Sequence, residues 1–69
     1  MKIITLRDEF IKLGQALKAA GLVDSGVTAK EVILNEEVTV NGEICTQRGK
    51  KLYDGDTVLF DGEEIKIQK

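Results

Sequence analysis

The chain has 69 residues, with 10 Lys and Arg against 12 Asp and Glu and a formal net charge of −2. This length allows one domain at most, which we expect to span residues 1–69, while one cysteine and no histidine exclude an internal disulfide and a cysteine-and-histidine zinc site. No apolar segment approaches the roughly 20 residues of a membrane span, and the early charges are unlike a secretory signal, so we expect a cytoplasmic protein that does not contact membranes.

The first part of the chain has the apolar spacing of a helix. After a short extended start, Thr5 is a candidate N-cap, and Asp8 follows where its carboxylate can reach back to the cap. The apolar residues recur at spacings of four, three and four: Leu6, Phe10, Leu13 and Leu17. The pattern predicts a helix from Leu6 to Ala20, ended by Gly21 in a left-handed cap.

A second, shorter helix is predicted to begin between Ser25 and Thr28. Thr28 and Glu31 have the spacing of a capping box, and Asn35 and Glu36 are expected to end the helix. Its buried side is supplied by three apolar residues: Ala29, Val32 and Ile33.

The period then changes to two, which is typical of strands. Val38 and Val40 alternate with Thr39, and Asn41-Gly42 is a strong signal for a type I′ hairpin that returns along Ile44. The chain next forms a loop from Thr46 to Lys51 and a brief contact of Leu52-Tyr53 with the sheet.

A second hairpin is predicted from Thr57–Phe60 and Glu64–Ile67 around Asp61-Gly62. The expected fold class is α+β, with two N-terminal helices packed on a small antiparallel sheet. One core should gather the inward residues of both layers: Leu13, Leu17, Ile33, Val38, Val40, Val58 and Phe60.

Positive charge is concentrated in one segment. Between Ile44 and Tyr53 there are three cations, Arg48, Lys50 and Lys51, and all 12 acids of the chain lie outside it. Exposed loop cations are often only solvated, but Arg can hold a phosphate bidentately and Lys acts as a point charge. The segment therefore leaves two interpretations open, a solvated loop and an anion-binding loop.

Other candidate chemistries have weaker signals. Cys45 has no histidine to activate it, and a small strand cysteine more often packs. Asp54, Asp56 and Asp61 miss the spacing of a calcium loop, and the glycines do not form a phosphate-binding loop. We therefore expect no enzyme activity, metal or cofactor.

Several motifs together resemble the RNA-binding domain first described in the fourth protein of the small ribosomal subunit, the S-four domain. The matching residues cover roughly 12–59 and comprise Lys12-Leu13, Leu17, Gly21, Ser25, Ala29, Ile33, Val38-Thr39-Val40-Asn41-Gly42 and Gly55-Asp56. The chain looks most similar to the small stand-alone bacterial branch of that family. The resemblance implies two helices followed by a small sheet, also called an αL motif.

The resemblance also implies where RNA would bind. Lys12 keeps the cation that the family often has in its first helix, and Lys30 lies on the second helix, where the family contacts RNA. With Arg48, Lys50 and Lys51 they are expected to form one positive face. Three departures from the family pattern are Gly14 in place of an acid, Gly26 in place of a cation, and Glu36 in place of a glycine.

The leading hypothesis is a non-enzymatic RNA-binding module that recognises ribosomal or transfer RNA through phosphates and folded shape. The alternative is an adapter on the same fold whose cations contact an acidic protein partner. A sulfur-carrier function is disfavoured, because such carriers end in Gly-Gly and this chain ends Ile67-Gln68-Lys69.

Overall fold

The computed structural model describes residues 1–69. The chain forms two helices and seven short strands, in the order β1 (Lys2–Thr5), β2 (Ile11–Lys12), α1 (Leu13–Ala19), α2 (Gly26–Leu34), β3 (Val38–Val40), β4 (Glu43–Ile44), β5 (Lys51–Leu52), β6 (Thr57–Phe60) and β7 (Glu63–Gln68). Neither helix combines the length and the apolar character needed to span a membrane.

Five strands form the main sheet, in the order β1-β7-β6-β3-β4. The neighbours β7-β6, β6-β3 and β3-β4 are antiparallel, while β1 lies parallel to β7 with Ile4 opposite Ile67. The predicted fold class, two helices on a small sheet, is confirmed. The parallel pairing of the first and last strands makes the sheet mixed, which the sequence did not predict.

Both predicted hairpin turns are confirmed. Asn41 and Gly42 have φ values of 52° and 85°, and Asp61 and Gly62 have 51° and 76°. Positive φ at both central residues is the signature of a type I′ turn, whose twist matches that of the flanking strands.

The prediction for the first helix was wrong at its start. The helix begins at Leu13, not Leu6, and neither Thr5 nor Asp8 caps it. Leu6 instead continues β1, because its amide donates to the Gln68 carbonyl at 2.7 Å. Ile11 and Lys12 are held extended by antiparallel pairing with β5, so a helix cannot include them.

This pairing also corrects the expected position of Leu52-Tyr53. β2 and β5 form a separate two-stranded sheet, so Leu52 does not join the main sheet. The predicted loop is correspondingly one residue shorter, because Lys51 belongs to β5.

The second helix begins and ends as predicted. Its N-cap is Ser25, whose Oγ accepts from the Thr28 amide at 3.2 Å, so the predicted capping box of Thr28 and Glu31 does not form. At its end, the amides of Glu36 and Glu37 donate to the carbonyls of Ile33 and Val32, each at 3.1 Å. These two bonds form a Schellman motif, which places Glu36 where glycine is usual.

One hydrophobic core joins the helices and both sheets. Six of the seven predicted core residues are buried, and Phe60 packs against them while partly exposed. The buried apolar residues are Leu6, Leu13, Ala16, Leu17, Val23, Ala29, Ile33, Val38, Val40, Leu52, Val58, Ile65 and Ile67.

Candidate nucleic-acid interface

The loop that carries the cations is fixed to the N-terminus of α1. The amide of Leu13 donates to the Lys50 carbonyl at 2.8 Å, and the amide of Gly14 donates to the Arg48 carbonyl at 3.1 Å. The first amides of a helix have no partner inside the helix, so these loop carbonyls satisfy two of them. The loop backbone is therefore positioned by the helix.

The Arg48 side chain lies against Gly14. A Cβ added to Gly14 would come within 2.8 Å of Arg48 Cγ and 3.5 Å of Cδ. Only glycine leaves room for the aliphatic part of Arg48 at this position. This close approach accounts for a glycine in the first turn of α1.

A cationic cleft lies between α1, the start of α2 and the loop. It has a volume of about 360 Å³ and is lined by Lys12, Gly14, Gln15, Lys18, Gly26, Arg48 and Gly49. Three of these residues are cations and none is an acid. In a chain with a net charge of −2, the cationic cleft is a locally positive surface suited to an anionic ligand.

Two elements place the helix cations of the cationic cleft. Lys12 is the last residue of β2 and the N-cap of α1, where its amide donates to Gln15 Oε1 at 3.3 Å. Lys18 was missed by the sequence analysis. No local pattern distinguishes Lys18, because an exposed lysine on a helix is ordinarily only solvated.

The backbone of α2 adds to the cationic cleft at Gly26. The amides of Gly26 and Val27 donate no hydrogen bond within the chain, while the Thr28 amide is used by Ser25. Free amides at a helix N-terminus favour anions. Gly26 has no side chain, yet its free amide contributes partial positive charge.

The structure brings Lys12 and Arg48 together, but the other three predicted cations lie outside the cationic cleft. Lys30 is exposed on α2, and Lys50 lines a separate shallow cleft with residues of the β3–β4 hairpin. Lys51 Nζ lies 4.9 Å from the centroid of the Phe10 ring. The chain's one ion pair joins Lys69 and Glu9 at 3.7 Å, so none of the five predicted cations is paired with an acid.

Nearby polar residues have structural roles. Asp56 Oδ2 accepts from the Tyr53 amide at 2.8 Å and Oδ1 from Asn41 Nδ2 at 3.1 Å, which ties the β3–β4 turn to the turn before β6. Asn41 Oδ1 accepts from the Thr57 amide at 2.9 Å. Cys45 is half-buried, with its Sγ 3.7 Å from the Gln47 carbonyl oxygen.

Comparison with known families gives one match that spans nearly the whole chain. The model of the S4 domain (the S-four domain above) matches residues 4–68. Among similar proteins, the "Probable ribosome maturation protein RlbA" of Bacillus subtilis (strain 168) is 46% identical over 59 residues, covering 86% of this chain and 83% of RlbA. YbcJ of Escherichia coli (strain K12) is 33% identical over 57 residues, covering 83% and 81%.

A solved structure shares the fold. The solution structure of YbcJ from E. coli superposes with a TM-score of 0.76 at 30% identity, covering 100% of this chain and 89% of YbcJ. That structure was described as revealing an αL motif involved in RNA-binding.

Proposed function

Because this chain belongs to the S4 domain family, we propose that it is a non-enzymatic module that binds structured RNA, of the ribosomal or transfer RNA class, through phosphates and folded shape. The observation that carries the proposal is the cationic cleft, where Lys12, Lys18 and Arg48 converge without an acid among the lining residues.

The chemistry of the cationic cleft suits a phosphodiester backbone. The Arg48 guanidinium can grip one phosphate bidentately, while Lys12 and Lys18 act as point charges on its neighbours. The free amide of Gly26, which lines the cleft, adds a donor that favours the same anion. Phosphate contacts of this kind set position and affinity but carry no base sequence directly.

The cations outside the cationic cleft extend this surface in the proposal. Lys30, Lys50 and Lys51 would contact phosphates further along a folded RNA, which is wide enough to reach several faces of so small a protein. Their lack of ion pairs leaves them available for this role.

The relatives support the same class of ligand. RlbA is named as a ribosome maturation protein, and the YbcJ structure is described by an αL motif involved in RNA-binding. The first name concerns the ribosome and the second description concerns RNA; both belong to those proteins, and they support an RNA ligand for this chain.

The second candidate is a protein adapter, which one surface favours. On the uncovered face of the main sheet, Ile44 and Leu59 flank Thr39 on adjacent strands and are 57% and 47% exposed. Ile44 also lines a cleft with Lys50, so an acidic protein partner would contact this apolar face and that cation together.

The proposal is tested by measuring binding to a labelled folded ribosomal RNA fragment and to transfer RNA. Unlabelled folded RNA should compete, whereas poly-glutamate should not. Replacing Arg48, Lys50 and Lys51 by Gln should weaken binding and leave the melting temperature nearly unchanged, because exposed charges contribute little to folding.

The control variant replaces Glu63 and Glu64 by Gln and should bind at least as well as the parent. Absence of RNA binding by the parent even at low salt would contradict the proposal. Binding to poly-glutamate in its place would favour an adapter that uses its cations.

A further inference from the structure

The fold brings together two aromatic rings that are far apart in the sequence. Phe10 and Tyr53 have ring centroids 6.0 Å apart at an angle of 50°, and Lys51 Nζ lies 4.9 Å from the Phe10 centroid. The chain has only three aromatic residues, two Phe and one Tyr, so two of the three meet here. Tyr53 is 47% exposed, which leaves much of its side chain open to a ligand.

We propose that Tyr53, Phe10 and Lys51 form a stacking site for an unpaired base of the RNA whose phosphates occupy the cationic cleft. The inference rests on the proposed function and adds a ligand feature to it, namely an unpaired nucleotide beside the helical part of the RNA. We refer to these three residues as the aromatic site.

The aromatic site is continuous with the cationic cleft. Lys51 and Lys12 are directly opposite each other in the pairing of β2 and β5. Opposite residues of an antiparallel pair have Cα atoms roughly 4.5–5.5 Å apart and side chains on the same face. Lys12 lines the cationic cleft, so a strand that leaves it can reach the aromatic site within about one nucleotide.

The Tyr53 backbone is held rigidly. Its amide donates to Asp56 Oδ2 at 2.8 Å, and its carbonyl accepts from the Asp56 amide at 3.0 Å. The Tyr53 hydroxyl makes no hydrogen bond within the chain, so it is free to contact a base or a ribose. With its backbone fixed and its ring against Phe10, Tyr53 loses little conformational entropy when a ligand stacks on it.

The acids beside the aromatic site are already engaged. Asp54 Oδ1 accepts from the Lys69 amide at 2.9 Å, and Glu9 Oε1 lies 3.7 Å from Lys69 Nζ. These contacts reduce the repulsion that the two carboxylates would exert on an approaching phosphate. Lys51, in contrast, has no acidic partner and presents its charge at the ring.

Aromatic rings stack on any base, because every base has a π face. Stacking of this kind is sequence-tolerant, so the aromatic site would detect that a nucleotide is unpaired without selecting its identity. A fully paired helix keeps its bases inside the stack and cannot offer one.

The test compares two labelled RNA hairpins of equal length, one with a single bulged nucleotide in its stem and one fully paired. Tyr53→Leu should weaken binding to the bulged hairpin roughly 5- to 150-fold, the range expected for loss of one stacked base, and should leave the paired hairpin within about twofold. Tyr53→Phe keeps the ring and is expected to stay within about twofold for both.

A second readout does not depend on a variant. The chain has one Tyr and no Trp, so its intrinsic emission reports on Tyr53 alone. Saturating bulged hairpin should quench this emission more than the paired hairpin does, after correction with free tyrosine amide at the same RNA concentration.

Each outcome decides the matter. Two results would overturn the stacking site and leave the proposed RNA function intact. The first is that Tyr53→Leu weakens binding equally to both hairpins; the second is that both hairpins quench the Tyr53 emission equally and Tyr53→Leu leaves the affinity for the bulged hairpin unchanged. No binding of either hairpin by the parent would contradict the proposed function itself. A different result would assign the aromatic site to an acidic protein partner. In that case poly-glutamate would bind the parent, Tyr53→Leu would weaken this binding, and the binding of both hairpins would be unchanged.

Discussion

Gly14 and Arg48 are in direct contact at the cationic cleft. The aliphatic part of the Arg48 side chain occupies the space that a Cβ on residue 14 would take. The approach is so close that an added Cβ would lie 2.8 Å from Arg48 Cγ. The same two residues are joined by a backbone hydrogen bond of 3.1 Å, so the loop cannot retreat without breaking it. Gly14 therefore acts as a positioning residue for the guanidinium.

Gly14→Ala leaves the charge of the protein unchanged, but it should weaken RNA binding because the added methyl group displaces the Arg48 side chain. Alanine is better than glycine in a helix by about 1 kcal/mol, which offsets part of the lost contact, so the melting temperature should stay within a few degrees of the parent. Binding is measured with labelled folded RNA, beside a thermal melt.

A double-mutant cycle isolates the cause. In the Arg48→Gln background the guanidinium is absent, so Gly14→Ala should weaken binding no further. Equal losses from Gly14→Ala in both backgrounds would show that Gly14 acts on RNA binding by some route other than Arg48.

Leu17→Ala should destabilise the protein severely. Leu17 is fully buried in the single core, and truncation of such a residue costs on the order of 2–5 kcal/mol. In a domain of this size that corresponds to a fall of at least about 8 °C in melting temperature. Leu34→Ala is the control, because Leu34 is 57% exposed and its truncation should change stability by less than about 0.5 kcal/mol.

Gly42→Val should destabilise the first hairpin. Gly42 has a φ of 85°, a conformation that costs a side-chain-bearing residue roughly 1–2 kcal/mol. Gly49→Val is the matched control, since Gly49 does not have positive φ and a Cβ there meets nothing within 4 Å. Equal melting temperatures for the two variants would argue against a strained turn at Gly42.

Glu36 and Glu37 should respond in opposite directions to the same substitution. Glu36 has a φ of 61° at the end of α2, so Glu36→Gly removes left-handed strain and is expected to stabilise by roughly 0.5–1 kcal/mol after the entropy cost of glycine. Glu37 does not have positive φ, so Glu37→Gly should destabilise by a similar amount. Thermal melts of the two variants give the comparison, and a loss of stability in Glu36→Gly would contradict it.

Much of the fold followed from local patterns in the sequence. Asn41-Gly42 and Asp61-Gly62 identified both hairpins, because a type I′ turn requires positive φ at two consecutive residues and so favours Asn-Gly and Asp-Gly. The start of α2 was predicted between Ser25 and Thr28, because a cap acts on amides only two or three residues away, but the capping box predicted for Thr28 and Glu31 was wrong. The alternation of Val38 and Val40 identified the buried side of β3.

The start of α1 was mispredicted because distant strands overrode a local helical spacing. Leu6 is buried, as the spacing implied, but it is placed by β1, which pairs with the opposite end of the chain. Phe10 has the helical interval to Leu13 and yet turns to Tyr53. Pairings of such long sequence separation leave no trace in a window of neighbouring residues.

The candidate site was predicted only in part, because it too depends on contacts between residues that are far apart in the sequence. The charge pattern identified Arg48, and the family resemblance identified Lys12, but Lys18 was not selected from among the exposed helix cations. Only the hydrogen bonds from α1 to the loop show that Lys18 and Arg48 face one cleft. The binding roles of all five predicted cations remain predictions.

The most direct test of the account separates the position of charge from its amount. One variant replaces the three cations of the cationic cleft, Lys12, Lys18 and Arg48, by Gln. Its partner replaces three exposed cations outside the cleft, Lys2, Arg7 and Lys66, by Gln. Both variants carry the same net charge, so non-specific attraction to RNA falls equally in the two.

The measurement is a salt titration of binding to one folded RNA. Each phosphate contact contributes a slope of about −0.7 to −0.9 in log K against log salt, so the cleft variant should lose roughly two to three units of slope and the partner variant should keep nearly the slope of the parent. Equal slopes for the two variants would contradict the central claim that the cationic cleft holds the RNA backbone.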